Sequence, residues 1–307
     1  MQAIRVHQYG ESDVLQVETV AQPEPQPNEV LLRVQAAGVN PFDWKIRSGS
    51  VKEFLPMPLP YTPGMDVADT VEAIGTNVKA FQVGQSVYGE LKMGAYAEFA
   101  TASPDTIALK PETLDFVQAA SVPMVAMTAY QALFDHADFK PGQTVLIHAA
   151  LGGVGMFAVQ FAKWKGAHVI GTASAANVDF VRSLGADQVI DYHATPFEQA
   201  AQNVDVVLDL LGGDTQARSY AVLKPGGILV STAAPADTQK AQKQGVRAEM
   251  MIMEPSASLL EQIANLFDSG QVKTDIAQIF PLSQARQAQE LSQKGHVRGK
   301  IVLQMSA

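Results

Sequence analysis

Cysteine is absent from this 307-residue chain, which excludes disulfides, a catalytic thiol and any thiolate metal site. Histidine is scarce, and no two histidines have the i, i+4 spacing that places two ligands on one helix face. The six histidines are at positions 7, 136, 148, 168, 193 and 296. We therefore predict no metal in the protein.

Excess positive charge and long apolar runs are missing too. The chain has 31 acidic and 22 basic side chains and a formal net charge of −9, which disfavours binding to nucleic acid or to an anionic membrane. No stretch of about 18 consecutive apolar residues occurs, and no basic run leads into an apolar segment at the N-terminus. We expect a cytoplasmic globular protein with no membrane partner.

One stretch, residues 144–174, has the pattern strand, turn, helix, strand. Its turn, AALGGVG, fits G-x-G-x-x-G with Ala150 in the first place. A small first residue permits a tight turn, Gly152 allows a backbone approach to a pyrophosphate, and Gly155 allows the helix to pack on the strand. The helix then begins at Gly153 and Val154, and the free amide N–H groups at its N-terminus face the phosphates. The alternative is a tight βα connection that binds no ligand.

The pattern of the chain changes along its length. Up to about Leu114 it is rich in short strands; beyond that point helices and strands alternate, which is typical of a parallel doubly wound sheet. Strands resume after a helix whose start we place at a capping box formed by Ser258 and Glu261. We predict an α/β protein with a β-rich domain of residues 1–121 and 263–307, a dinucleotide-binding domain of residues 122–262, and an active site in the cleft between them.

Several motifs resemble those of the zinc-independent quinone oxidoreductase (zeta-crystallin-like) and enone reductase branch of the medium-chain dehydrogenase/reductases. They are AALGGVG, Val122-Pro123, Thr128-Ala129-Tyr130, Leu223-Lys224-Pro225-Gly226-Gly227 and Gly299-Lys300-Ile301-Val302-Leu303. The resemblance implies a Rossmann-type sheet beside a GroES-like catalytic domain, a nicotinamide dinucleotide cofactor and a homodimer.

The resemblance also implies which residues contact the cofactor. Thr128 would contact the nicotinamide-side phosphate or ribose, and the Gly-rich turn the pyrophosphate. A second turn would contact the cofactor at the end of a strand, where ligands of such sheets bind; it comprises Asp209, Leu210, Leu211 and Gly212. For Asp209 a helix cap is the alternative. Lys300 matches a family motif, and its alternative is a surface charge at the start of a strand.

Zinc-dependent relatives carry a cysteine where this chain has Asn40 and a histidine where it has Met65, so a soft-ligand site cannot form. Without a Lewis acid, the accessible chemistry is hydride donation to an activated acceptor such as a quinone or a conjugated carbonyl. Negative charge then develops on an oxygen, which needs a hydrogen-bond donor and a proton. The candidates are Asn40, Lys45 and Tyr61.

Each of these candidates has a plain alternative. Asn40 could close a turn before Pro41, Lys45 could be solvated, and Tyr61 could be a packing residue beside prolines. The motif NP-x-D-x-K, which contains Asn40 and Lys45, resembles the enone reductases; many quinone oxidoreductases have Tyr at the position of Lys45.

The region after the second strand predicts NADPH rather than NADH. NAD-specific folds place an acid about 20 residues beyond the Gly-rich turn to bind the ribose 2′-hydroxyl, but this chain has no acid there until Asp179. Ser174 and Asn177 can donate hydrogen bonds to a 2′-phosphate. Val178 occupies the position where many relatives have a phosphate-binding lysine.

Two functions follow from these observations. The first is an NADPH-dependent reductase of quinones or α,β-unsaturated carbonyls that uses no zinc. The second is an NADPH-binding structural or regulatory protein with little turnover, as the lens crystallins of this branch suggest. The sequence leaves both open.

Overall fold

The computed structural model of the protein describes residues 1–305. The chain divides into two compact units: unit 1 consists of Met1–Met124 and Pro255–Ala307, and unit 2 of Val125–Glu254. The domain boundaries that we predict after residues 121 and 262 stay a prediction, and the last two residues of the predicted range 263–307, Ser306 and Ala307, lie outside the described residues.

The β-strands account for much of both units. In chain order they are β1 (Gln2–Val6), β2 (Leu15–Thr19), β3 (Val30–Val39), β4 (Asp66–Ile74), β5 (Ser86–Glu90), β6 (Phe99–Ala102), β7 (Ile107–Leu109), β8 (Thr144–Ile147), β9 (His168–Ala173), β10 (Gln188–Asp191), β11 (Val204–Asp209), β12 (Leu223–Ser231), β13 (Arg247–Met250), β14 (Ile276–Pro281) and β15 (Lys300–Gln304).

The α-helices are mostly short. They are α1 (Pro41–Ser48), α2 (Phe116–Ala120), α3 (Pro123–Gln131), α4 (Gly153–Trp164), α5 (Val178–Ser183), α6 (Phe197–Ala200), α7 (Gly213–Ser219), α8 (Thr238–Lys243), α9 (Ala257–Asp268) and α10 (Ala285–Lys294). A π-helical turn, Ala132–His136, follows α3. Within residues 1–305, no helix combines the length and the hydropathy that crossing a bilayer requires.

Unit 1 is built around the long strand β3, VLLRVQAAGV, which buries nearly every side chain. Its sheet has the order β14-β15-β3-β4-β5-β7, and β6 also pairs with β3. The first half of β3 pairs with β6 and its last residues pair with β15, while β4 runs antiparallel along its other edge. The neighbours along both edges satisfy the backbone hydrogen bonds of β3. Its side chains are buried on both faces of the sheet, which explains its continuous apolar character.

Helix α1 is absent from the sequence-based prediction, which gives a turn at Asn40 before Pro41 as the structural alternative. Asn40 is its N-cap residue, Pro41 is its first residue, and Asp43 at the third position accepts a hydrogen bond of 2.8 Å from the backbone N–H of Asn40. These are the residue types that begin a helix. The helix ends at Gly49, whose φ of 81° is in the left-handed region.

The predicted start of α9 is wrong by two residues. Ser256, and not Ser258, is the N-cap, and its Oγ accepts a hydrogen bond of 3.3 Å from the amide of Leu259. Both serines have an acceptor hydroxyl, so local sequence alone does not distinguish them. With either cap, Leu259, Ile263 and Leu266 lie on one buried face of the helix.

Unit 2 is a Rossmann-type doubly wound sheet. All its strands are parallel in the order β10-β9-β8-β11-β12-β13. The order reverses between β8 and β11, where Leu208 lies opposite Ile147. Ligands of such sheets bind beyond the carboxyl ends of the strands at this reversal. The two turns predicted to bind the cofactor follow β8 and β11, so both emerge at this position.

Candidate active site

Strand pairing in unit 1 brings three polar residues together. Asn40 follows the end of β3, Asp66 begins β4 and Lys300 begins β15. Because β3 is antiparallel to both neighbours, its end lies beside their beginnings: Val39 is opposite Ile301, and Ala37 is opposite Val67. The three side chains are therefore adjacent although they are far apart in the sequence.

These residues form one buried hydrogen-bond network, which we call the Asn40 cluster (Asn40, Asp66 and Lys300). Lys300 Nζ donates to Asn40 Oδ1, to the carbonyl of Val39 (3.2 Å) and to Asp66 Oδ2 (3.4 Å). Asn40 Nδ2 donates to Asp66 Oδ2 at 2.9 Å, and Asp66 Oδ1 accepts from the amide of Met124 at 2.9 Å. All three side chains of the cluster are at most 3% exposed.

The network fixes the orientation of the Asn40 amide. A lysine can only donate and a carboxylate can only accept, so the oxygen must face Lys300 and the nitrogen must face Asp66. One N–H of the amide is used by Asp66, which leaves the second as a donor. Lys300 uses its three N–H groups within the protein, and its burial excludes the alternative of a surface charge.

Gly38 makes this close approach possible. A Cβ at Gly38 would lie 2.4 Å from the carbonyl oxygen of Ala120, 2.9 Å from Asp66 Cβ and 3.0 Å from Asp66 Oδ2. Any larger residue would push β4 and α2 away from β3. The glycine in Gly38-Val39-Asn40 is therefore required by packing.

Other buried acids of unit 1 include Asp43 and Glu90. Asp43 accepts hydrogen bonds from the backbone N–H of Asn40 and from Tyr96 Oη, each at 2.8 Å, while its Oδ1 has no hydrogen-bond partner within residues 1–305. Burial raises the pKa of Asp43 to about 7. Burial, reinforced by the charges of Asp66 and Asp43, raises the pKa of Glu90 to about 9. Each of these groups can hold a proton near neutral pH.

The other predicted residues of unit 1 lie in different surroundings. Lys45 is half-buried in α1, and its Nζ lies 5.9 Å from the centre of the Trp44 ring. Tyr61 is 5% exposed, packs in an apolar cluster that includes Ile46, and pairs in a β-bridge with Val6. Burial raises the pKa of Tyr61, so its phenol stays protonated.

The zinc-ligand positions of related dehydrogenases do not fit a metal in this chain. Asn40 offers an amide oxygen that already accepts from Lys300, and Met65, a thioether, packs against the apolar cluster around Tyr61. In the described part of the chain, no three histidine, aspartate or glutamate side chains are grouped so that they could hold a metal ion. Zinc independence stays a prediction that chelation can test.

In unit 2, the Gly-rich turn joins β8 to α4. A Cβ at Gly155 would lie 2.3 Å from the carbonyl oxygen of Ala149, so only glycine fits there. Gly152 has an ordinary φ of −75°. A Cβ added there would lie 3.5 Å from its nearest neighbour, the carbonyl oxygen of Ala149, which is an ordinary contact distance. Neither backbone conformation nor packing within the protein requires glycine at 152. A glycine at this position is consistent with room for a bound ligand. Ala150 is fully buried, and Val154 is half-buried in the first turn of α4, which begins at Gly153.

The second turn is organised by Asp209. Its Oδ1 accepts from the amides of Leu211 (3.1 Å) and Gly212 (2.9 Å), and its Oδ2 accepts from Gln216 Nε2 (3.0 Å) and Ser231 Oγ (2.8 Å). All of these bonds lie within the protein, so Asp209 shapes the loop. Leu211 is 55% exposed at its tip.

The turn after β9 has the predicted donors side by side. Asn177 Nδ2 donates to Ser174 Oγ at 3.0 Å, which leaves the Ser174 hydroxyl hydrogen available to another acceptor. Asp179, the nearest acid, has a side chain that is 98% exposed and lies 3.6 Å from Arg182. Thr128 lies in α3 and is 8% exposed.

Asp66 and Asp43 are site residues that sequence reasoning missed. Asp43 stands three residues after Asn40, and this spacing is the local signal of a helix cap. For Asp66 the sequence carries no local signal, since only the pairing of β3 with β4 brings it to Asn40.

Family profiles match most of the chain. The alcohol dehydrogenase GroES-like domain matches residues 26–112, in unit 1. The family described as zinc-binding dehydrogenase matches residues 184–303. A GroES-like unit together with a Rossmann-type sheet defines the medium-chain dehydrogenase/reductase class.

Two curated relatives align with nearly all of the chain. The chloroplast envelope quinone oxidoreductase homolog of Arabidopsis thaliana is 35% identical over 99% of this chain and 98% of that protein. The 2-methylene-furan-3-one reductase of Solanum lycopersicum is 33% identical over 99% of this chain and 79% of that protein.

Two solved structures share the whole fold. The quinone oxidoreductase from Coxiella burnetii is 39% identical with a TM-score of 0.95, covering 100% of this chain and 99% of that one. The Escherichia coli quinone oxidoreductase complexed with NADPH is 29% identical with a TM-score of 0.90, covering 99% and 100%. This chain belongs to the quinone oxidoreductase and enone reductase branch of the medium-chain dehydrogenase/reductase superfamily.

Proposed function

We propose that the protein is an NADPH-dependent oxidoreductase that transfers hydride to a quinone or an α,β-unsaturated carbonyl without zinc. The observation that carries this function is the Gly152 turn at the reversal point of the parallel sheet, where packing leaves room that only a ligand would need. The relatives named above, which include both a quinone oxidoreductase and an enone reductase, support the same chemistry.

The residues of unit 2 fit a dinucleotide. The first amides of α4 have no partners within the helix, and they carry the positive end of its dipole, so they suit a pyrophosphate. Ser174 and Asn177 would donate to a 2′-phosphate, Thr128 would contact the nicotinamide side, and the tip at Leu211 and Gly212 would line the site. When bound, NADPH supplies the hydride.

In unit 1, Asn40 is proposed to donate its remaining N–H to the substrate oxygen as negative charge develops there. A neutral amide donates at every pH, and it needs no reorganisation because Lys300 and Asp66 hold both ends of it. We therefore assign Lys300 to positioning Asn40 rather than to contacting the cofactor.

The proton that completes the reduction must come from a second group. Lys45 is the proposed donor, because it is half-buried on the first helix after Asn40 and has an ionisable head on a flexible stem. Tyr61 is a weaker candidate, since its hydroxyl is buried in an apolar cluster.

The test is NADPH oxidation, followed by absorbance, with a panel that contains a quinone, a straight-chain enal and a ring enone. We expect turnover with at least one acceptor, and the panel also identifies the substrate class. Full activity after exhaustive chelation is expected, and loss of activity that added zinc restores would disprove the metal-free reaction.

The second candidate is an NADPH-binding protein with little turnover. The extensive internal hydrogen bonding of Asn40 favours it, since a residue held this firmly also serves as a structural cap. Tight NADPH binding with no oxidation of any acceptor at high protein concentration would support this candidate over the enzyme.

A homodimer and a cytoplasmic location remain proposals that rest on the family resemblance and the sequence. A monomer mass measured by light scattering would disprove the homodimer. Cell fractionation tests the second.

A further inference from the structure

A buried histidine lies beneath the Gly-rich turn and has no part in the chemistry above. His148 directly follows β8 and is 1% exposed. Its Nε2 lies 2.9 Å from Ser219 Oγ and its Nδ1 lies 3.3 Å from Thr172 Oγ1. The ring packs edge-to-face on Phe197, with the ring centres 4.7 Å apart. Both ring nitrogens are therefore engaged within unit 2.

The partners determine which nitrogen carries the proton. Ser219 Oγ donates its hydrogen to the carbonyl of Thr215 at 2.7 Å, so it must accept from His148 Nε2–H. Thr172 Oγ1 accepts the amide N–H of Ala149 at 3.2 Å, so its own hydrogen is available to His148 Nδ1. The chain of bonds runs in one direction and needs a neutral ring.

Burial keeps the ring neutral. It lowers the pKa of His148 to about 4, and three charged groups on neighbouring elements modify this effect. Asp209 on β11 and Glu198 on α6 raise the pKa, while Arg218 on α7 lowers it. At neutral pH the ring is therefore a donor at one nitrogen and an acceptor at the other.

This chain of hydrogen bonds ends at an unusual backbone conformation. Ala149 has a φ of 48°, in the left-handed region that non-glycine residues rarely adopt. Its N–H is held by Thr172, and its carbonyl accepts from the amide of Gly152 at 3.0 Å. The same carbonyl is the atom that excludes a Cβ at Gly155. The shape of the Gly-rich turn thus depends on Ala149.

The other end of the chain of bonds reaches the second cofactor turn. Ser219 is the last residue of α7, and α7 begins immediately after the turn that Asp209 organises. His148 is also joined to β11 through its amide, which donates to the carbonyl of Leu208 at 3.1 Å. One side chain therefore contacts the supports of both turns.

We propose that His148 is a positioning residue for the dinucleotide site, holding the Ala149 backbone and helix α7 so that the Gly-rich turn and the Asp209 turn bind NADPH together. This role rests on the proposed function, because it concerns the same cofactor. His148 does not contact the reacting atoms and carries no proton in the reaction.

The test is the dissociation constant of NADPH, measured by fluorescence titration of the folded protein, so that it needs no turnover. His148→Leu removes both hydrogen bonds and is expected to weaken binding by about tenfold or more. His148→Asn keeps an acceptor near the Nδ1 position and should lose less NADPH affinity than His148→Leu. The matched control is His168→Gln, at the exposed first residue of β9, away from Thr172 near the end of that strand. It should bind NADPH like the wild type.

A suppressor separates positioning from general stability. Ala149→Gly removes the steric cost of the positive φ, so it should restore part of the NADPH affinity that His148→Leu loses. A merely structural role for His148 would change unfolding free energy without this rescue. If His148→Leu does not fold, Thr172→Val, which keeps the side-chain shape and breaks the same link, carries the test.

The outcomes distinguish the two proposals. If the wild-type protein binds NADPH and His148→Leu or Thr172→Val binds it equally well, the proposed role of His148 is overturned and the proposed function is not. Loss of affinity with no rescue by Ala149→Gly would also overturn it. Wild-type protein that binds NADPH but reduces no acceptor overturns the enzymatic function and leaves this one standing, whereas no NADPH binding at all would overturn both.

Discussion

Two pairs of buried carboxyl groups, one pair in each unit, differ in their hydrogen-bond partners. In unit 2, Asp209 accepts four hydrogen bonds, and Asp205 accepts from Thr144, Gln143 and Lys224. In unit 1, Asp43 and Glu90 each have an oxygen without a partner in the described chain, and burial raises the pKa of both. All four carboxyl groups are buried, and the two pairs differ in the number of hydrogen-bond donors around them.

The difference matches the proposed division of work. In unit 2, Asp209 holds its turn by accepting from the amides of Leu211 and Gly212, and the phosphate role is proposed for the first amides of α4. Unit 1 concentrates acids around a single lysine, which leaves the Asn40 cluster sensitive to the loss of any donor. Five substitutions test this contrast, from the largest expected effect to the smallest.

Lys300→Met should have the largest effect, because it leaves Asp66 buried without its cation. We expect the free energy of unfolding to fall by about 3 to 5 kcal/mol, measured by urea denaturation. The double variant Lys300→Met with Asp66→Asn should recover part of the loss. Lys294→Met, on the exposed end of α10, is the control. Equal stability of Lys300→Met and wild type would contradict the proposed network.

Asn40→Ala removes the proposed donor to the substrate oxygen. We expect kcat/KM to fall by roughly 100- to 1,000-fold, the cost of one oxyanion donor, while the dissociation constant of NADPH stays within about twofold. The measurement is made with the best acceptor of the panel. A parallel loss of cofactor affinity, or a loss of folding alone, would favour a purely capping role.

Gly155→Ala tests the contact that shapes the Gly-rich turn of unit 2. The added Cβ meets a backbone oxygen that cannot move aside, so we expect a loss of about 1 to 3 kcal/mol in stability and weaker NADPH binding. Gly152→Ala is the matched variant: it should fold normally, since its Cβ has room, yet bind NADPH less well. Normal binding by Gly152→Ala would remove the phosphate role of this turn.

Glu90→Gln tests whether the protonated Glu90 of unit 1 makes stability depend on pH. The unfolded chain releases this proton near the ordinary pKa of 4.5, whereas the folded chain holds it to about 9. The folded state therefore binds more protons in this window, and stability falls as pH rises through it, by at most about 1.4 kcal/mol per pH unit. We expect Glu90→Gln to flatten that decline in denaturation curves between pH 5 and 9, and the exposed Glu53→Gln to leave it unchanged.

Ser174→Asp places a new carboxylate among the donors of unit 2. It should repel a 2′-phosphate and accept from a 2′-hydroxyl, shifting the ratio of kcat/KM values from NADPH towards NADH by about tenfold. Ser183→Asp, an exposed substitution on α5, provides the comparison. Wild-type protein that uses NADH as well as NADPH would refute the predicted preference.

Local patterns in the sequence were enough for the Rossmann-type sheet and its Gly-rich turn. The alternation of strands and helices, the spacing of apolar residues in α4 and the small residues at 150–155 are all short-range signals. Helix α1 is absent from the prediction although Asn40, Pro41 and Asp43 carry a capping pattern, because Asn-Pro is also typical of a turn.

The Asn40 cluster could be found only in the tertiary structure. Asp66 and Lys300 are separated by more than 200 residues, and their contact depends on the register of β4 and β15 against β3. The link from His148 to Ser219 likewise depends on β8 lying beside β11. The sequence by itself determined the alternation of strands and helices in the middle of the chain and which turn suits a dinucleotide, since those follow from residue type and spacing. Only strand pairing decided which buried charges meet, because a hydrogen bond depends on distance in space and not on distance along the chain.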